Sequence, residues 1–180
     1  MSRTRLSFAL IVAGALSLAS CSSLDAPTGP DTEPSALLSG GGGLLGTSIG
    51  SGLLACDPQP YAAASATIGV NGGTLVIGPH RLVVPAGALA SPVLIRAEAP
   101  VGTVASVKLQ PEGLRFAAGK PARLTLSYAT CPLLGQVLPK RIAYTTDLLA
   151  ILSFLPSLDD LLGRKVSAPL EHFSRYAVAW

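Results

Sequence analysis

Glycine and proline interrupt this chain so often that it can fold only through short extended runs. Its 180 residues include 19 Gly and 15 Pro. From Tyr61 onward, short β-branched and leucine-rich runs alternate with Gly and Pro breaks, the signature of an all-β domain with frequent turns. Strands are expected at 67–70, 74–77, 80–84, 93–98, 106–109, 122–128, 142–145 and 150–155, with 166–178 long enough to need a break. Asn71-Gly72-Gly73 lies between the first two, and Asn-Gly favours the positive-φ turn that matches strand twist, so 67–70 and 74–77 read as a hairpin. Pro85 follows the third strand and cannot donate to a ladder, which places it at a strand end or edge. Between 122 and 128, Leu124, Leu126 and Tyr128 alternate with Arg123, Thr125 and Ser127. One face is dry and the other wet, as a two-sheet sandwich requires. The run 148–158 has too little periodicity to separate helix from strand and is read as strand.

The first residues carry a different signal. Arg3 and Arg5 precede fourteen apolar or small residues, Leu6 to Ala19, and the run Leu18-Ala19-Ser20-Cys21 closes the segment. This arrangement reads as a bacterial lipoprotein signal peptide, residues 1–20, removed so that Cys21 becomes the first mature residue. Small Ala19 and Ser20 suit a peptidase that cuts before a cysteine already bearing a diacylglycerol thioether. Fourteen residues fall short of the roughly 20 that span a hydrocarbon core as a helix, whereas several acyl chains give stable anchoring. Ser22 follows the cysteine where an aspartate would direct inner-membrane retention in enteric-type bacteria, which favours the outer membrane. Residues 21–60 are rich in Gly, Pro and Ser and read as a disordered tether. The expected order is therefore signal (1–20), tether (21–60) and one antiparallel β-sandwich (61–180).

Once the signal is removed, the excess of basic residues falls to 11 minus 10, so the basic pI says little about partners. No basic stripe with interleaved aromatics is present, so a nucleic-acid partner is not expected. Cys56 and Cys131 remain as a pair in an exported chain and are expected to bond. No Cys-x-x-Cys exists and only two histidines occur, His80 and His172, so no metal or cofactor is expected. Asp159-Asp160 reads as a solvated loop pair and His80 as a turn or surface residue. Without a Gly-x-Ser-x-Gly elbow, a hydrolase triad has no local support, and no small-molecule substrate is evident.

Four patterns recur in order: Asn71-Gly72-Gly73-Thr74-Leu75, Val84-Pro85-Ala86-Gly87-Ala88-Leu89, Gln110-Pro111-Glu112-Gly113-Leu114-Arg115-Phe116, and His172-Phe173-Ser174-Arg175-Tyr176. Together they resemble the ZU-five domain of zonula-occludens proteins, netrin receptors and ankyrins, over about 66–178. The resemblance implies a β-sandwich in which Gly72, Gly73, Pro85, Gly87, Pro111 and Gly113 form corners and Phe116 plugs one end. It also implies a choice at His172-Phe173-Ser174. In some relatives, and in the nucleoporin autoproteolytic domain, His-Phe-Ser is a self-cleavage site. Here Ser174 would attack the Phe173 carbonyl while His172 assists proton transfer; otherwise the motif is a fold corner. The first expectation is a non-enzymatic envelope lipoprotein with a binding or scaffolding sandwich, held by its lipid and meeting an envelope protein partner. The alternative is self-processing at Phe173–Ser174. A hydrophobic strand such as 150–155, if left at an open edge, is the first contact surface to consider.

Overall fold

The computed structural model describes residues 52–132 and 137–180; the signal segment, Cys21 and the tether up to residue 51 lie outside them. All the ladders pair antiparallel. A six-stranded sheet has the order β10-β9-β13-β7-β5-β2, and a five-stranded sheet the order β11-β12-β8-β4-β3. In the first sheet the strands are β2 (Ala62–Ile68), β5 (Val93–Ala99), β7 (Ser106–Gln110), β9 (Arg141–Thr145), β10 (Ile151–Phe154) and β13 (Arg175–Ala179). In the second they are β3 (Gly73–Ile77), β4 (His80–Val84), β8 (Ala122–Ser127), β11 (Leu158–Asp160) and β12 (Lys165–Leu170). A separate ribbon pairs β1 (Ala55–Gln59) with β6 (Gly102–Val104).

Alternation builds the core. Ile95, Val107, Leu109, Ile142 and Val178 of the larger sheet share one buried cluster with Ile77, Leu82, Leu124, Leu126 and Val166 of the smaller. In β8, Leu124 and Leu126 are buried while Arg123 is exposed. On the wet face, Thr125 meets Ser167 of β12 in register, hydroxyl to hydroxyl at 2.8 Å.

Two expectations need correction, the hairpin at Asn71-Gly72-Gly73 and the start of the folded domain, while the break expected in 166–178 is present. The turn at Asn71-Gly72-Gly73 does not close a hairpin, because β2 pairs with β5 and β3 with β4. Gly72 N–H bonds Gly69 O at 2.9 Å, so the chain does reverse, but into the opposite sheet. With that crossing Ile68 and Leu75 share one core. The long run 166–178 divides into β12 and β13, which belong to different sheets, and its break falls at Glu171–Ser174. The folded domain also begins before 61. Leu53 and Leu54 are buried, Leu54 N–H bonds Val178 O at 2.9 Å, and Trp180 N–H bonds Gly52 O at 3.1 Å. This segment takes up the lane beside β13 that β7 vacates beyond Ser106, so its backbone groups complete a ladder. Leu54 joins the main core, and Leu53 joins Ala143, Ala177 and Ala179 on the outer face.

The registers give the sandwich two ends. The corner end carries the β2–β3, β4–β5, β7–β8 and β12–β13 crossings. The disulfide end carries the loops leading into β2, β7, β9 and β12, and the Cys56–Cys131 bond ties β1 to the segment after β8.

Candidate functional site

The four sequence motifs occupy four crossings at the corner end, and backbone hydrogen bonds link these crossings. Gly87 N–H donates to Val70 O at 2.6 Å, and Ala117 N–H donates to Ala88 O at 3.0 Å. Gly113 N–H donates to Phe173 O at 2.8 Å, and Phe173 N–H donates to Leu114 O at 2.9 Å. Phe116 meets Phe173 edge-on, centroids 5.3 Å apart, and Phe173 is fully buried. Gly72 and Gly87 both sit at positive φ, 69° and 72°, a conformation that glycine adopts without a Cβ clash.

His172, Phe173 and Ser174 lie in the crossing before β13. They are not part of a regular strand, so simple alternation does not place His172 and Ser174 on one face. Tyr176 OH donates to His172 O at 2.7 Å, which resembles a tyrosine corner in which a strand tyrosine ties down the chain just upstream. Burial pushes that phenol well above its ordinary pKa, and neighbouring Tyr144 and Glu171 add to the shift, so Tyr176 remains a donor. The Phe173 carbonyl already accepts from Gly113. The two groups needed for self-cleavage line different depressions: His172 an aromatic groove and Ser174 a polar hollow.

The aromatic groove holds about 320 Å³ at the flank of the sandwich. Tyr144, Phe154, Pro156, Pro169, Glu171 and His172 line it, and the Tyr144 and His172 rings meet edge-on at 5.2 Å. Strand β10, an edge of the larger sheet, forms one wall. Its Leu152 and Phe154 are exposed, and the Arg141 guanidinium lies 4.0 Å from the Phe154 ring centroid. Sequence reading had marked this strand, but not Tyr144 or Glu171, which come from distant segments.

The polar hollow, about 270 Å³, is lined by Lys108, Thr145, Asp147, Ser174 and Arg175 among others. Register places Arg175 opposite both Lys108 and Thr145. Two like charges side by side across a ladder are unfavourable. Asp147 offsets them, accepting from Lys108 Nζ with both oxygens at 2.9 Å. Lys108's hydrogen bond holds the Asp147 carboxyl below its ordinary range. Thr145 Oγ1 and Arg175 Nε are buried there without a hydrogen-bond partner among the described residues.

The disulfide end holds a group that sequence reading missed. Lys140 is buried, its ammonium 4.1 Å from the Trp180 ring centroid and 5.6 Å from that of Tyr128, and it donates to Leu138 O. Asp159 accepts from Tyr128 OH and from Lys140 N–H, each at 2.7 Å. Burial lowers the Lys140 pKa against the opposing pull of Asp159; burial and Asp159 together raise that of Tyr128. The expected Asp159-Asp160 loop is in fact strand β11, and both Asp159 oxygens are engaged by donors. No His, Cys, Asp or Glu trio arranged for a metal ion occurs among the described residues. His80 is also corrected. It is buried, with 2% of its surface exposed, because it shares the inward face of β4 with Leu82 and Val84, and its Nδ1 accepts Ser127 N–H at 3.1 Å.

No protein-family model matches the chain, and no curated protein matches it.

Proposed function

We propose that this chain is a cell-envelope lipoprotein, acylated at Cys21 and held at the outer membrane, whose β-sandwich is a non-catalytic module that binds an envelope protein partner along β10. The observation that carries this reading is the open edge of β10, with Leu152 and Phe154 facing outward beside the aromatic groove. An edge strand presents unpaired backbone groups on which an extended partner segment can add, and the groove offers space for its side chains. The meeting of all four motifs at one end favours kinship with ZU-five domains. It also favours a fold-corner role for His172, Phe173 and Ser174.

Retention of partners from detergent-solubilised envelopes tests this function. A partner held by the parent protein should be lost on Leu152→Lys with Phe154→Asp, and kept on Val76→Lys, an exposed change on the other sheet. Equal retention by all three proteins would overturn it. Intact mass under denaturing conditions tests self-processing: an uncut chain is expected, and release of a fragment starting at Ser174 would replace the binding reading with the autoprocessing one.

A further inference from the structure

The loops at the disulfide end are more apolar than connections of this kind need to be. Tyr61, Val101, Val137, Leu138, Leu161 and Leu162 are all exposed large hydrophobics, and each lies in a connection at this end. In the connections at the corner end, the exposed large hydrophobics among the described residues are Val70 and Leu148. Leu162 has 98% of its surface exposed, at the tip of the β11–β12 hairpin, so folding gains nothing by its burial. Arg164 and Lys165 follow it and are exposed. Asp160, opposite Lys165 in the β11–β12 ladder, accepts Gly163 N–H at 2.8 Å within the same turn.

The chain outside the described residues joins the domain at this same end, where Gly52 bonds Trp180 and Leu53 bridges Ala179. We infer that the disulfide end is a lipid-contact face, with Leu161 and Leu162 entering the interfacial region of the bilayer that holds the anchor and Arg164 and Lys165 meeting anionic headgroups. The inference rests on the proposed acylation of Cys21, which brings this end toward the membrane. Apolar tips beside basic side chains are the combination that binds an anionic interface, since apolar burial and charge attraction add, and tyrosine suits the headgroup level. The orientation turns the corner end away from lipid and leaves the β10 flank open to a partner.

Diazirine amino acids placed at 162 and 101, with controls at 148 and 70, test the inference in the acylated full-length product reconstituted in mixed phosphatidylethanolamine–phosphatidylglycerol vesicles. After irradiation, phospholipid adducts read by intact mass should appear at 162 and 101 and be absent at 148 and 70. Leu161→Asp with Leu162→Asp should lower the adduct at 101 by at least about tenfold while leaving the protein in the membrane fraction. Equal adducts at both ends, or protein adducts in place of lipid at 162, would overturn the lipid face while leaving the anchor reading intact. A product that stays soluble and is unaffected by Cys21→Ser would overturn the anchor reading, and the lipid face with it.

Discussion

At His80 a titratable ring is held where protonation would break a bond. Its Nδ1 accepts Ser127 N–H, and burial lowers its pKa from 6.5 to about 4. Between those values the unfolded chain binds a proton that the folded chain refuses. The contribution is therefore complete above about pH 6.5 and is lost as the pH falls toward 4, with a ceiling of about 3 kcal/mol. Thermal unfolding followed across that window should show a falling midpoint. His80→Asn, which keeps an acceptor near the Nδ1 position and cannot titrate, should flatten the profile; a parent profile already flat there would count against this role. Asp147 acts lower on the pH scale, because Lys108 holds its carboxyl down. The sequence showed His80 only as a residue after a proline. Its burial depends on β8 lying beside β4, a pairing between segments some forty residues apart.

Among the connecting elements, two glycines with nearly the same backbone angle have different neighbours. A Cβ on Gly72 would lie 2.4 Å from Val84 O and 2.7 Å from the Pro85 carbonyl carbon, both backbone. A Cβ on Gly87 would meet Lys120 Nζ at 2.4 Å, the free end of a flexible side chain. Both substitutions incur the left-handed penalty of about 1–2 kcal/mol; only Gly72→Ala must also move a corner. Chemical denaturation should show Gly87→Ala costing about 1–2 kcal/mol and Gly72→Ala about 3 kcal/mol or more. Equal losses would mean that the corner yields as easily as the lysine. The same turn explains the misread hairpin: Asn71-Gly72-Gly73 fixes a reversal, but a reversal does not choose its ladder. β2, with the sequence Ala-Ala-Ala-Ser-Ala-Thr-Ile, was mostly missed because alanine carries little strand preference.

Across the whole molecule, the Cys56–Cys131 bond joins residues 75 apart in sequence. Loop-closure entropy for that span is about 4 kcal/mol. Cys56→Ala with Cys131→Ala should lower unfolding stability by about 2–4 kcal/mol, and reductant should lower the parent protein to the same level while leaving the double variant unchanged. Pairing of the cysteines was legible in the sequence, as were the all-β class, most strand positions and the corner glycines, because turn chemistry and side-chain alternation are local and repeat within a few residues. The dry face of Leu124, Leu126 and Tyr128 was legible too, but not the open lane beside β13 that Leu53 and Leu54 occupy. Nor did the sequence reveal the Lys140 cluster, the groove shared by Tyr144 and His172, or the separation of His172 from Ser174 into different hollows. Those features arise where segments far apart in the chain are brought side by side, and local patterning carries no information about which of several compatible strands will become the neighbour.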